Sequence, residues 1–470
     1  MSERIPVQII ERVEPSRANV KVKSSDHLIH TRSFTGLFRN LRVSGAGFLF
    51  LLFFGTVWLD WGGRQAVLWD LADSKFHIFG ATFWPQDFIL LSALLIICAF
   101  GLFAITVFAG RVWCGYTCPQ SSWTWIFMWC EKLTEGERNQ RIKLQAAPWG
   151  MKKLLRRSAK HSLWLAISVL TGLTFVGYFT PIRPLANELL TLQLSGVSLF
   201  WVLFFAGATY INAGWLREAV CMHMCPYARF QSVMFDKDTL TVSYDAARGE
   251  NRGPRKREVD PASVGLGDCI DCQMCVQVCP TGIDIRDGLQ MECIGCAACI
   301  DACDSIMDKM GYARGLVSYT SEAVLQGGQT RLLRPRLIGY CAVLLVMIGA
   351  LVLALVERPM VSLDVSKDRG LFRENSQGQI ENIYSLKIIN KTQQRQQYHL
   401  ALVDGDDFQL QGKTEVSLAA GEIFDFPVSV TMIAEHPSSS SQSISFEVVD
   451  SDDANVRSLA KSRFVAPLNR

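Results

Sequence analysis

Long apolar runs alternate with basic, polar loops along this chain, and five runs are long enough to cross a bilayer as helices. They lie at about residues 43–59, 88–109, 162–180, within 189–216, and 337–356. The second has no charge in 22 residues. The fourth is longer than a crossing needs, so part of it is expected to lie at the interface. Beyond residue 357 the pattern changes to short runs of period two, at 383–389, 398–403, 424–430 and 443–449. Turn signals at Asp404-Gly405 and Ala420-Gly421 punctuate them. About 110 residues of short strands predict an immunoglobulin-like β-sandwich, which here has no cysteine for an inter-sheet disulfide.

Composition agrees with several spans. The 470 residues are 49% hydrophobic and 19% charged, with a net charge of +3. The net charge matters less than its placement. Lys and Arg number eight in residues 1–42, two in 61–86, ten in 111–160 and one in 181–195. Residues 217–336 are again basic, including Arg255-Lys256-Arg257. This alternation places the N-terminus inside and the C-terminus outside. Beside spans, basic tracts set topology, and no nucleic-acid partner is expected. The first 30 residues are polar, so no cleavable signal peptide is expected.

Fifteen cysteines are too few for a disulfide scaffold, and their clustering points to metal ligation in a reducing compartment. Cys269-x2-Cys272-x2-Cys275-x3-Cys279-Pro280 is followed by Cys293-x2-Cys296-x2-Cys299-x3-Cys303. This is the bacterial two-cluster ferredoxin spacing. A thiolate at every third residue wraps one cubane, and the fourth cysteine reaches the other. Cys269, Cys272, Cys275 and Cys303 are expected to hold one 4Fe-4S cluster. Cys293, Cys296, Cys299 and Cys279 are expected to hold the second. Zinc sites use paired cysteines separated by a longer loop.

Two further blocks follow the second and fourth spans. They read Arg111-Val-Trp-Cys114-Gly-Tyr-Thr-Cys118-Pro119 and Arg217-Glu-Ala-Val-Cys221-Met-His-Met-Cys225-Pro226. If each span's helix continues through its block, the cysteines of a pair lie four residues apart on one face, and Pro119 and Pro226 mark where the helices are perturbed. The repeat looks like an internal duplication whose thiols meet at the bundle axis. Such soft ligands take Cu(I), zinc or iron–sulfur. Met222, Met224 and His223 add weaker donors. Cys98 and Cys341 lie inside spans and are expected to pack there, and Cys130 is a bystander. No P-loop, dinucleotide fingerprint, hydrolase triad or haem-binding histidine pair is present.

With these blocks, spans and tail in this order, the chain resembles the cytochrome c oxidase accessory family CcoG, also called FixG or RdxA. The resemblance covers essentially the whole chain. It implies an oxidoreductase that reduces Cu(II) to Cu(I) for assembly of a cbb-type oxidase. It also implies a copper site at Cys114, Cys118, Cys221 and Cys225. Spacing alone shows only redox and soft-metal capacity. A quinol-linked conduit to an extracytoplasmic reductase, or a copper-binding scaffold with structural clusters, stays open.

The expected organisation is therefore a multi-domain membrane protein of the bacterial inner membrane. It has a cytoplasmic segment (1–42), four spans with both blocks (43–235) and a linker (236–268). A dicluster ferredoxin-like segment (269–310), a connector (311–336), the fifth span (337–356) and a periplasmic sandwich (357–470) follow. Expected partners are the lipid bilayer, copper ions, copper transporters, chaperones or oxidase assembly factors, and an unidentified cytoplasmic electron donor. Self-association into a homo-oligomer is left open.

Overall fold

The computed structural model describes residues 29–370, 372–375, 377–403, 407–433 and 440–467. Most of the N-terminal segment and the Asp404-Gly405 turn therefore lie outside the described residues. Among the described residues, five helices are long and apolar enough to span a bilayer: Leu37–Trp58, Pro85–Ala109, Met151–Gly177, Gly196–Leu216 and Pro335–Val356. They are spans 1 to 5. Span 1 starts before the apolar run because Asp301, on a ferredoxin helix, accepts hydrogen bonds from the amides of Phe38 (3.2 Å) and Arg39 (2.7 Å). A carboxylate there satisfies amides that the first helical turn leaves unpaired. The surplus before span 4, residues 189–195, is mostly non-helical and follows a separate amphipathic helix, Ile182–Leu190, which buries Ile182 and Leu185 against Val57, Val176 and Val202.

Residues 60–83 form a hairpin and a small three-stranded antiparallel sheet rather than an open loop. The linker and connector are also structured in part. Thr241–Tyr244 pairs antiparallel with Val317–Thr320, which closes the ferredoxin-like unit with a two-stranded ribbon. Val242, Tyr244, Leu316 and Val317 pack in one core with Cys269, Cys275 and Ile300.

The tail is a two-sheet antiparallel sandwich. One sheet runs Phe408–Gln411, Ile423–Met432, Ile380–Asn390, Val361–Lys367, with Arg373–Glu374 also paired to Ile380–Asn390. The other runs Glu415–Leu418, Gln396–Leu402, Ser441–Asp450, Arg457–Val465. Alternate residues such as Leu386, Ile388, Val428, Val430, Ile444 and Phe446 fill the core between them. Three of the four period-two runs lie wholly within observed strands, and the run 398–403 passes the end of Gln396–Leu402 by one residue, Val403.

Sandwich and ferredoxin-like unit sit at opposite ends of span 2. At one end Asp87 bonds Arg358 (2.5 Å) and Lys391 (3.0 Å) from the sandwich side. At the other, the Leu240 amide donates to the Phe108 carbonyl (3.1 Å). A helix of 22 residues separates them, about 33 Å along the axis.

Candidate metal and electron-transfer centre

The two cysteine loops of the ferredoxin-like unit share one backbone device. Asp271 (φ 54°) and Gln273 (φ 52°) stand among Cys269, Cys272 and Cys275. Gly295 (φ 65°) and Ala297 (φ 57°) occupy the equivalent places among Cys293, Cys296 and Cys299. Three of these are not glycine, and left-handed residues are tolerated where the surroundings over-determine them. Each loop thus curls around a point and enters a helix, Met274–Val278 or Ala298–Met310. Arg286 clamps the first loop, donating to Asp271 (2.6 Å) and Asp284 (2.7 Å).

Two cavities result. Cys269, Cys272, Cys275 and Cys303 line one. Cys279, Cys293, Cys296 and Cys299 line the other, with Cys275 at the shared wall. These are the two ligand sets expected from spacing, with the fourth cysteine of each run crossing over, and the residues present fit two cubanes. Burial pushes the Cys275 thiol up to about 11 and those of Cys293 and Cys303 up to about 12. Only a strongly charged group would keep such buried sulfurs as thiolates.

The blocks after spans 2 and 4 do not continue their helices. Gly110 ends span 2 with φ 56° and ψ −123°, a conformation suited to glycine. A short helix, Val112–Tyr116, carries Cys114. Cys118 is extended (φ −62°, ψ 127°), and Pro119 opens the next helix, Pro119–Glu135. In the second block π-helical turns cover Tyr210–Leu216 and Val220–Met224, separated by Arg217 at φ 42°. Cys225 is extended (ψ 111°), and Pro226 opens Pro226–Met234. The expected one-face placement of each pair is therefore corrected. Proline is favoured at a first helical position and holds its predecessor extended. Cys118 and Cys225 are the joints between helices.

Side chains lock the blocks together. Gln120 donates to the carbonyls of Asn212 (2.9 Å) and Arg217 (3.1 Å). Arg217 in turn donates to Glu131 (2.5 Å), which also receives Arg141 (3.1 Å), all three being buried. The Cys114 thiol points at Gln231 Oε1 (3.6 Å) on the helix after the second block. Cys114 also lies within electrostatic reach of Cys118 and Cys221, and Cys221 of Cys118 and Cys225. Burial, then the neighbouring sulfur, raises Cys114 to about 12 and Cys221 to about 11. Among the described residues, no three Cys, His, Asp or Glu side chains already converge on one ion. The thiols are neighbours but not a closed cage.

The blocks also touch the ferredoxin-like unit. Arg111 donates to the carbonyls of Ala228 (2.8 Å), Cys293 (3.3 Å) and Met291. A Cβ on Gly115 would lie 2.8 Å from the Gly295 oxygen and 2.9 Å from Cys296 Cα, so only glycine allows this approach. Cys114 packs into the apolar cluster that contains Cys296 and Ile294.

Comparison with known proteins adds the lineage. Residues 216–322 match the 4Fe-4S dicluster domain model, and residues 351–467 match the model of the IG-like fold at the C-terminal of FixG. Protein RdxA of Cereibacter sphaeroides is 41% identical over 393 residues, covering 80% of this chain and 82% of RdxA. Protein RdxB of the same organism is 38% identical over 81% of this chain and 83% of its own. Nitrogen fixation protein FixG of Rhizobium meliloti is 36% identical over 72% of each. The chain belongs to the FixG/RdxA family. It is a membrane iron–sulfur electron-transfer protein with a 4Fe-4S dicluster domain and an Ig-like tail.

Within this FixG/RdxA chain the weaker candidates separate. Met224 is 64% exposed and His223 is exposed, whereas Met222 is half-buried. Cys98 and Cys341 are exposed on their spans rather than packed inside the bundle, which corrects the expectation of packing. Cys130 is buried beside Phe127 and Trp164, as a bystander would be. The roles of Arg111, Gln120, Glu131, Gln231 and Asp301 were missed from sequence. The one available signal was an arginine three or four residues before the first cysteine of each block.

Proposed function

We propose that this protein is a cupric reductase of the bacterial inner membrane, forming Cu(I) from Cu(II) for assembly of a cbb-type cytochrome c oxidase. The support is the seat of Gly115 on Gly295 and Cys296, which sets Cys114 against the loop lining the second cluster cavity. Bound in the two cavities, 4Fe-4S clusters would supply single electrons. The chain's own residues do the rest. Arg111, held by carbonyls on both sides, fixes the spacing between the first block and Cys293. Cys114, Cys118, Cys221 and Cys225 offer sulfur to copper, and Met222 and Met224 are marginal donors. Cu(II) prefers tetragonal nitrogen and oxygen ligands, while sulfur favours Cu(I), so a thiol site biases the ion toward reduction. The raised thiols release protons as copper binds. An open set of thiols suits a substrate that has to leave.

The charge asymmetry of the loops supports the ferredoxin end inside and the sandwich in the periplasm. Electrons then come from a cytoplasmic donor, and copper passes to transporters, chaperones or assembly factors. The test is anaerobic. Protein reduced with dithionite and freed of excess reductant is mixed with Cu(II) and a Cu(I) chelator. Cluster absorbance should recover in step with Cu(I), giving about two Cu(I) per chain. Recovery with a quinone but never with Cu(II) would replace this function by the quinol conduit. Copper bound beside clusters that stay reduced would leave only the scaffold.

A further inference from the structure

A second charged site lies beside the ferredoxin-like unit, and none of the four block cysteines lines it. The extended segment before span 1, the first turns of span 1, the helix Pro119–Glu135 and the ferredoxin-like unit enclose a cavity of about 320 Å3. Its cations are Arg32, Arg39, Arg42, Lys132 and Arg141, and among the described residues no Asp or Glu lines it. Two of the five are paired, Lys132 with Glu137 (2.9 Å) and Arg141 with Glu131 (3.1 Å), a carboxylate shared with Arg217. Among the described residues, the Arg32 guanidinium reaches only the neutral Gln277, at 3.4 Å. Arg42 is 7% exposed, yet among the described residues no hydrogen bond or ion pair reaches its guanidinium. A guanidinium that faces a cavity without a counter-charge favours an anion there, which would accept charge-assisted hydrogen bonds from it.

The surroundings narrow the anion. The cavity lies at the depth of the first turns of span 1, where Leu37 and Leu41 are exposed on the same helix. Trp125 and Trp129 form an indole wall of the kind found at headgroup level. Val278 and Pro280, flanking Cys279, form the floor, and Arg42 is within electrostatic reach of Cys296. Planar guanidinium forks match phosphate oxygens, and basic pockets between spans on the cytoplasmic side suit phosphate headgroups.

We infer that Arg32, Arg39 and Arg42 form a binding site for a phosphate-bearing anion, seated between span 1 and the loop that ends at Cys279. The occupant joins the extended segment to span 1, whose arginines otherwise present like charges to one another, and rests against Val278 and Pro280 of the ferredoxin-like unit. A phospholipid headgroup and a free phosphate compound share this chemistry.

The experiment uses the full chain, purified anaerobically into phosphatidylcholine nanodiscs. In one arm phosphatidylglycerol replaces part of the lipid. In the other, inorganic phosphate is titrated in, with sodium chloride at matched ionic strength as the control for screening. The thermal midpoint reports binding, because a ligand of the folded state stabilises it by mass action. At least one probe should raise the midpoint saturably beyond chloride. Phosphatidylglycerol alone identifies a headgroup, and a response to phosphate identifies a soluble anion. Arg42→Gln and Arg39→Gln should each weaken binding about tenfold or more, as for one lost charge-assisted bond, while Lys309→Gln should not. Arg39 is only half-buried, so its variant keeps the test valid if Arg42→Gln fails to fold; iron content reports folding in both. No response beyond chloride from either probe, or wild-type binding in the folded variants, would overturn the site. These readouts need no copper, so failure here is distinct from failure of the reductase function.

Discussion

Gly115 carries the closest contact between the membrane part and the cluster loops. A methyl group there meets backbone atoms, which cannot swing aside as a side chain would. Gly115→Ala should therefore cost about 1–3 kcal/mol of stability and slow cupric reduction while iron content stays near normal. Gly47→Ala is the control, since nothing lies within 4 Å of its added Cβ. Equal reduction rates in both would remove the contact from the electron path. Glu131 makes a different contribution. Its carboxylate faces two buried guanidiniums, and Glu131→Gln would leave them without a counter-charge. The expected loss is about 3–5 kcal/mol, measured by unfolding in detergent. An unchanged midpoint would mean that Arg141 and Arg217 find other partners. Glu131 acts by holding the second block through Arg217, where the backbone is left-handed.

At the scale of elements, the sandwich is the part most able to stand alone. Its core is continuous, and Asn390 satisfies the turn between its sheets by donating to the carbonyls of Gln394 (2.8 Å), Leu418 (3.3 Å) and Ala419 (3.0 Å). Residues 357–470 expressed alone should give a β-rich circular dichroism spectrum with cooperative unfolding and no bound metal. A disordered spectrum would contradict this. The same scale explains what was legible in the sequence. Spans and sandwich strands are written in long-range hydropathy and period-two alternation, which tertiary contacts reinforce. The ferredoxin ligand sets are written in spacing, because a cubane dictates where thiolates stand. The broken helices at the blocks were misjudged for a local reason. Ala109-Gly110 is a stop signal, and Cys118-Pro119 and Cys225-Pro226 are start signals. An apolar run leading into a cysteine pair hid them. The ribbon joining Thr241–Tyr244 to Val317–Thr320 was illegible because its strands are four residues long and far apart in sequence. The locking contacts of Arg111, Gln120 and Asp301 depend on which helices meet, which no local pattern records.

At the scale of the molecule, charge placement and architecture give one geometry. The cluster-bearing unit and the thiol blocks share one end of the bundle, and the sandwich holds the other through Asp87. A reporter fused after Val356 should be active only outside the cytoplasm, and one fused near Gly249 only inside. Matching activity at both positions would mean that a span is miscounted. In the proposed function, electron transfer to copper would take place at the inner face, between two units in direct contact. The most direct measurement of this is Cu(II) reduction by pre-reduced protein in the single variants Cys118→Ala and Cys225→Ala and in their double variant. If the four thiols serve one substrate ion, each single change should lower copper binding and Cu(I) formation sharply. The double should be little worse than either, as for residues acting as a unit. The iron–sulfur spectrum should persist in all three, and Met224→Ala should have a much smaller effect. Wild-type rates in the cysteine variants, with intact clusters, would contradict the copper-reducing role of the thiols.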